Sequence, residues 1–270
     1  MNIKAPVFFI SHGAPTFALE PGVLGVILQT LGKQLTDIKA VLLVSPHWQT
    51  KDVQVMTTAL PETIHDFGGF SSSLYALQYR PKGQPDIARN AAQLLIAAGF
   101  ATQFNDHRGL DHGAWIPLLH LLPKADVPVF QVSMPFNLNK QQAVKLGQAL
   151  ASLRIQGVLI VASGGITHNL NEFRPSVKTP EVYVQEFANW VRAKVLANEI
   201  NSLLQYRTQA PHAERAHPSE EHFLPLLIAL GALSDNGTAQ LLDGGITNGV
   251  LSMDSYVWGM PHHADNPNQT

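Results

Sequence analysis

Cysteine is absent from all 270 residues of this sequence. The absence excludes disulfide bonds, thiolate nucleophiles, iron–sulfur clusters and sulfur-ligated zinc. Any metal ion bound by the chain must therefore be held by nitrogen and oxygen donors. Histidine, by contrast, is frequent, with 12 residues against 18 Lys and Arg.

The sequence also lacks long apolar runs and clusters of positive charge. Its longest apolar stretches fall well short of the ~18 residues needed to span a membrane, and they contain Gly or Pro. The formal net charge is −2. We therefore expect neither a nucleic-acid partner nor a membrane partner. The first residues show no signal-peptide pattern, which predicts a cytoplasmic protein.

Strand-like and helix-like segments alternate along the chain. Strands are predicted near residues 6–11, 40–45, 127–133 and 157–163, with weaker ones at 53–56 and 102–104. Helices are predicted over 86–98 before Gly99, over 140–153 behind an Asn139 cap, and from Pro180 onward. This alternation predicts one α/β domain over residues 1–270, with a central largely parallel or mixed sheet flanked by helices. A mobile loop is expected around 60–73 and a flexible tail after about residue 261.

Three apolar runs lead into histidines, namely His12, His47 and His168. Ligands of α/β sheets gather at the carboxyl ends of the strands. Three buried strands would therefore bring imidazoles to one edge of the sheet. Converging imidazoles indicate a metal site or a proton-transfer site.

His222 is a further candidate, because Pro225 is tolerated only near the start of a helix. His222 is therefore predicted in or just before the first turn of a helix that runs to Leu230. The alternative interpretation is that Ser219 caps this helix and that the adjacent acidic residues only favour its dipole.

His212, His217 and His222 are five residues apart, a spacing that rotates by about 140° on a helix. The three cannot share one helical face, so His222 alone is selected, with Glu221 as the fallback ligand.

Two more histidines are candidate acid–base groups. His168 follows paired glycines that allow close approach of a ligand, although a simple turn fits the same pattern. His112 follows Asp111, which could orient it, but a backbone turn is an equal alternative. His65 lies in a Gly-rich aromatic loop that could cover a flat substrate, and His120 is expected in the core.

Seven segments, taken in their order along the chain, resemble the motifs of a known protein family. They are Ser11-His12-Gly13-Ala14-Pro15, Ser45-Pro46-His47-Trp48, His65-Asp66-Phe67, Asp111-His112-Gly113, Gly165-Ile166-Thr167-His168-Asn169, Glu221-His222-Phe223-Leu224-Pro225 and Tyr256-Val257-Trp258-Gly259. Together they resemble the DOPA-dioxygenase-like branch of the extradiol ring-cleaving dioxygenases, in the protocatechuate 4,5-dioxygenase superfamily. The resemblance extends from near the first residue to near residue 260.

The resemblance implies a role for each histidine. His12, His47 and His222 resemble the ligands of a mononuclear Fe(II) centre, which leaves one face open for catechol and O2. His168 resembles the base that deprotonates the catechol, and a possible fourth ligand when zinc is bound. His112 resembles the acid or hydrogen-bond donor near the oxygen site. The implied partners are a small catechol such as DOPA, cleaved at the 4,5 position, and O2.

One feature departs from the usual non-haem iron triad of two histidines and one carboxylate. The third ligand here is His222, as in the DOPA-dioxygenase-like branch, whereas more distant relatives use Glu. An all-imidazole site makes Zn(II) a second possible occupant besides Fe(II). Two alternatives follow: a zinc hydrolase that uses the same three histidines, and a non-enzymatic binding protein of the same fold.

Overall fold

The computed structural model describes residues 4–175, 177, 179–233 and 237–260. The strands are β1 (Val7–Ser11), β2 (Ala40–Thr50), β3 (Val53–Met56), β4 (Thr102–Asn105), β5 (Val129–Pro135), β6 (Val158–Gly164), β7 (Gln240–Leu242), β8 (Ile246–Thr247), β9 (Leu251–Ser252) and β10 (Ser255–Trp258). The helices are α1 (Gly22–Gly32), α2 (Ser72–Tyr75), α3 (Pro85–Ala97), α4 (His112–Leu121), α5 (Lys140–Leu150), α6 (Val182–Leu196), α7 (Ile200–Leu204), α8 (Tyr206–Gln209), α9 (Ala213–Ala216) and α10 (Leu224–Gly231). Short 3-10 helices cover Pro15–Ala18, Ala151–Gln156 and Leu170–Glu172.

A mixed sheet forms the centre of the molecule, with the order β4-β3-β5-β2-β6-β1-β10-β7 among the described residues. Its middle strands β5, β2, β6 and β1 are parallel, while β3 pairs antiparallel with β5 and β10 antiparallel with β1. These middle strands are mostly apolar because helices flank the sheet and both of its faces are buried. The predicted α/β domain with a mixed sheet is confirmed.

The six predicted strands are all present, with a marked difference at the end of β2, whereas β7, β8, β9 and β10 were not predicted. The sequence predicts that this strand ends before Pro46, yet β2 continues to Thr50. Its pairing with β5 shifts register between Val44 and Gln49, so the intervening residues bulge out of the ladder. A proline without an N–H is accommodated in such a bulge, and the bulge changes the direction in which His47 points.

Two helix predictions are confirmed, although α5 ends at Leu150 and a 3-10 helix covers the last predicted residues, 151–153. Helix α3 is followed by Gly99 at a φ of +87°, the left-handed conformation expected just past a helix end. Helix α5 starts behind Asn139, whose side chain accepts from the backbone N–H of Gln142 at 2.8 Å in a capping box.

Other helix starts differ from the prediction. Helix α6 begins at Val182, so Pro180 precedes the helix instead of opening it. The backbone N–H of Glu181 donates to the carbonyl of Gly249 at 2.9 Å, which holds Glu181 in an extended conformation. Ser219 does not cap α10, because Phe223 is the residue that precedes this helix.

Among the described residues, no helix is both long enough and apolar enough to cross a lipid bilayer. The tail predicted to be flexible after about residue 261 lies outside the described residues.

Candidate metal centre

Three histidines from distant parts of the chain meet at the edge of the sheet. The Nε2 atoms of His12 and His47 lie 3.1 Å apart, and those of His47 and His222 lie 3.4 Å apart. One ring nitrogen from each of the three lies within 4.8 Å of the others. The sequence-predicted trio is therefore brought together around one point.

The parallel centre of the sheet explains this convergence. His12 directly follows β1, and His47 lies in the bulge of β2, with β6 between these two strands. His222 precedes α10, and its carbonyl accepts from the N–H of Gly165 at the end of β6, at 2.9 Å. A Cβ atom on Gly164 would overlap that carbonyl, so glycine is required for the approach.

Carboxylates stand behind two of the three rings. His222 Nδ1 lies 3.1 Å from Glu221 Oε1, and His47 Nδ1 lies 3.5 Å from Asp66 Oδ2. A carboxylate at neutral pH only accepts hydrogen bonds, so it favours a proton on Nδ1. The Nε2 atom of each ring then presents a lone pair to the cluster. Such partners orient histidine ligands in metal sites.

His12 is fixed by a hydroxyl group. Its Nδ1 lies 2.9 Å from Ser163 Oγ on β6, and its side chain is almost fully buried. Ser163 therefore orients His12 from behind, as Asp66 and Glu221 orient the other two rings.

Burial keeps these imidazoles neutral. Burial, followed by the charges of neighbouring histidines, lowers the pKa of His12 and of His222 well below the usual value. Burial likewise lowers the pKa of His47 to about 4, an effect that His112 reinforces and that Asp111 and Asp66 oppose. Neutral imidazole is the form that binds metal ions.

A divalent ion fits this donor set. Lone pairs of unprotonated nitrogens at 3.1 and 3.4 Å repel each other unless a cation lies between them. Nitrogens bound to one ion at about 2.1 Å are about 3.0 Å apart at right angles and about 3.4 Å apart at tetrahedral angles. The observed separations match this range.

His168 lies against the cluster in a stacked arrangement. Its ring is parallel to that of His222, with 3.4 Å between centroids and 9° between planes. A ring nitrogen of His168 forms a separate group with Glu221 and His222. Burial lowers the pKa of His168 to about 4, Glu221 raises it and His112 lowers it further. His168 is therefore unprotonated near pH 7, which leaves one ring nitrogen with a lone pair.

His112 reaches the cluster from helix α4. Its ring centroid lies 4.0 Å from that of His47 and 5.5 Å from that of His12. The residue that faces it is Asp66, with 3.1 Å between His112 Nδ1 and Asp66 Oδ2, an ion-pair contact that is not aligned as a hydrogen bond. Asp66 belongs to the segment His65-Asp66-Phe67, one of the seven that carry the resemblance, but no sequence pattern places it beside His112.

Asp111 has a structural role that differs from the suggested orientation of its neighbour. Its buried carboxylate accepts from Ser45 Oγ at 2.7 Å, Arg108 Nη2 at 2.9 Å and Gln131 Nε2 at 3.0 Å. It also caps α4 by accepting from the N–H of Ala114 at 3.2 Å. Asp111 thus joins β2, β5 and α4, and it sets the position from which His112 projects.

The other histidines of the described chain lie outside the cluster. His120 is a core residue, as predicted, and its Nε2 lies 2.8 Å from the carbonyl oxygen of Phe17. His217 is fully buried, with Nε2 2.7 Å from the carbonyl oxygen of Ile166, a position that the sequence does not predict. His65 Nε2 lies 3.0 Å from the carbonyl oxygen of Leu77.

Aromatic rings of the 60–75 region form a wall beside His112. Phe67 meets the His112 ring edge-on at a centroid distance of 5.6 Å. Phe67 also contacts Phe70, Tyr75 and Trp115 at centroid distances of 5.5, 5.3 and 6.5 Å. These edge-on and tilted rings form an apolar cluster next to His112.

Comparison with known proteins identifies relatives over nearly the whole chain. Residues 8–253 match the family described as the catalytic LigB subunit of aromatic ring-opening dioxygenase. A 4,5-DOPA dioxygenase extradiol from Beta vulgaris is 38% identical over 259 residues, covering 94% of this chain and 96% of the relative. The protein of the same name from Escherichia coli K12 is 33% identical, covering 93% and 94%. The crystal structure of an uncharacterised protein from Escherichia coli K12 aligns with a TM-score of 0.79 at 28% identity, covering 94% of this chain and all of that one.

Proposed function

The chain belongs to the family of catalytic LigB subunits of aromatic ring-opening dioxygenases, and on this premise we propose that it cleaves a small catechol such as DOPA at the 4,5 position with O2. The observation that carries the proposal is the meeting of three neutral imidazole nitrogens, each ring oriented from behind by a protein group. The names of the relatives support DOPA as the first substrate to test.

The proposed metal ligands are His12, His47 and His222. Fe(II) is the proposed physiological ion, and it would supply a redox centre with open positions for both the catechol and O2. Zn(II) suits the same three nitrogens, so purified protein is expected to bind either ion.

Two further histidines are proposed to handle protons. His168 is neutral at pH 7 and stacks on His222, so it is placed to accept a hydroxyl proton from the catechol. A second proposal for His168 is that it binds the metal ion as a fourth ligand when the protein is loaded with zinc. His112 lies on the side of Asp66 and Phe67, where we assign it the role of acid or hydrogen-bond donor to oxygen.

The three-histidine site alone would also suit a zinc hydrolase, and the fold alone would suit a binding protein. Family membership favours ring opening over both alternatives. The presence of His112 and His168 beside the trio supplies the acid–base groups that ring opening needs.

An oxygen-uptake assay tests the proposal. Protein reconstituted anaerobically with Fe(II) is expected to consume O2 on addition of DOPA and to form a yellow ring-opened semialdehyde. Protein loaded with Zn(II) serves as the matched control and should consume none. If no catechol in a broad panel stimulates oxygen uptake, ring cleavage is not the activity; hydrolytic turnover with Zn(II) in the absence of O2 would support the hydrolase instead.

A further inference from the structure

We propose that Asp66 is a positioning residue that orients two histidines with one carboxylate. The two are His47, the proposed metal ligand, and His112, the proposed proton donor. The inference rests on the proposed function, which assigns these roles. Asp66 would thus couple the metal centre to the acid beside it.

The geometry around Asp66 carries the inference. Its Oδ2 atom lies 3.5 Å from His47 Nδ1 and 3.1 Å from His112 Nδ1. Its Oδ1 atom accepts from the backbone N–H of His112 at 2.8 Å. The centroids of the two imidazole rings lie 4.0 Å apart, with 48° between the ring planes. One carboxylate therefore touches both rings on their Nδ1 sides.

The segment that carries Asp66 is anchored to the scaffold. Ile64 donates its N–H to the carbonyl of Leu110 at 2.8 Å, and Leu110 donates to the carbonyl of Glu62 at 2.8 Å. Trp115 Nε1 donates to the carbonyl of Ile64 at 3.0 Å. The loop around 60–73, which was expected to be mobile, is thus tied to the start of α4 just before Asp66. These bonds hold the Asp66 carboxylate at a set position.

Electrostatics give this position a consequence for both rings. A carboxylate oxygen attracts an N–H and repels a nitrogen lone pair, so both rings should carry a proton on Nδ1. The Nε2 atom of His47 is then free of hydrogen and faces His12 and His222. The Nε2 atom of His112, across the ring from Asp66, then carries a lone pair, so this ring donates a proton only after Nε2 has first taken one up, while Nδ1–H stays on the side of Asp66.

The substitution Asp66→Asn reverses this preference. The amide oxygen can keep the bond to the backbone N–H of His112, which turns the amide NH2 group toward both Nδ1 atoms. A donor in that place favours a proton on Nε2 of each ring. One change should therefore weaken metal binding through His47 and switch the tautomer of His112.

Two measurements without catechol or O2 test this. Co(II) titration followed by visible absorption should show about 10- to 100-fold weaker binding in Asp66→Asn. Nitrogen-15 NMR of histidine-labelled, metal-free protein should show His112 changing from the Nδ1–H to the Nε2–H form, with His112→Gln used to assign the signals.

Glu221→Gln is the matched control, because the Glu221 carboxylate stands behind His222 of the trio, whereas that of Asp66 stands behind His47. It should weaken Co(II) binding to a similar extent and leave the His112 signals unchanged. If Asp66→Asn fails to fold, Asp66→Glu displaces the carboxylate while keeping its charge, and it should alter both measurements in a milder form.

A change in only one of the two measurements, or in neither, would overturn the inference. The outcome is separate from the proposed function, because neither measurement requires turnover. Wild-type protein that cleaves no catechol would remove the proposed function and leave the shared carboxylate standing.

Discussion

Each imidazole of the trio has one nitrogen turned toward the cluster and the other toward a hydroxyl or a carboxylate. Ser163, Asp66 and Glu221 are the partners behind His12, His47 and His222. Burial does not separate His12 and His222 from His120 and His217, because all four are buried. The difference is that the Nε2 atoms of His120 and His217 each lie within hydrogen-bond distance of a backbone carbonyl oxygen.

His168→Ala is expected to abolish turnover and to leave metal binding intact. The stacked ring is proposed as the base, and loss of a general base costs roughly 10²- to 10⁴-fold in rate. Oxygen uptake with DOPA and Co(II) titration on the same preparation measure the two effects, and His107→Ala at an exposed position is the control. Loss of Co(II) binding would instead show that His168 is a ligand.

His217 should make the metal-free protein sensitive to acid. Burial lowers the pKa of His217 to about 3, an effect that the bond to the Ile166 carbonyl opposes. The unfolded chain binds a proton near pH 6.5 and the folded chain does not, so stability is complete above pH 6.5 and falls as the pH drops toward 3. At pH 5 the loss from this residue is about 2 kcal/mol.

Urea unfolding of metal-free protein at pH 7 and pH 5 measures this effect. The loss of stability between the two pH values should be smaller in His217→Gln than in wild type by about 2 kcal/mol. His107→Gln should behave as wild type, because His107 is exposed. An unchanged difference in His217→Gln would contradict the assignment.

At the scale of elements, the site depends on how closely α4 approaches β2. Gly113, the second residue of α4, lies directly against the bulge of β2. A Cβ atom there would overlap Ser45 Oγ and lie 2.8 Å from His47 Cδ2. The buried Asp111 carboxylate holds the two elements at this separation.

Gly113→Ala should therefore push α4 away from His47. We expect a loss of about 1–3 kcal/mol in unfolding free energy and weaker Co(II) binding, because His47 is displaced. Urea unfolding and Co(II) titration measure the two effects. Gly68→Ala is the control, since a Cβ atom at Gly68 meets nothing within 4 Å. Wild-type Co(II) affinity in Gly113→Ala would show that the contact does not position His47.

At the scale of the whole molecule, the trio links both ends of the described chain. His12 follows the first strand, His47 lies in the second, and His222 precedes the last long helix. An ion bound to all three would join β1, β2 and α10 in the folded state only. Metal binding should therefore stabilise the fold as a whole.

Addition of Zn(II) is expected to raise the unfolding free energy by about 4 kcal/mol at a free concentration 1,000 times the dissociation constant. Thermal unfolding with and without a chelator measures the shift. His47→Ala should show little or no shift, whereas His120→Gln, which changes a histidine outside the cluster, should keep it. A full shift in His47→Ala would contradict the proposed ligand set.

The sequence by itself determined the fold class, the main parallel strands and two strand-end histidines of the trio, His12 and His47; His222 was selected from the helix start at Pro225 and from the family resemblance. Buried parallel strands require continuous apolar runs, and such runs are visible in one dimension. Their carboxyl ends lie at one edge of the sheet, so histidines that follow them can be expected to meet. The absence of cysteine restricts the donors to nitrogen and oxygen.

Only the tertiary structure decided what surrounds each ring. The pairing of Asp66 with His112, 46 residues away, depends on a loop that packs against α4. The stacking of His168 on His222 depends on the approach of His222 to the end of β6, which Gly164 permits. The bulge that directs His47 depends on the pairing of β2 with β5. Local periodicity carries no information about such contacts, because they arise from the order of strands and the packing of loops between elements.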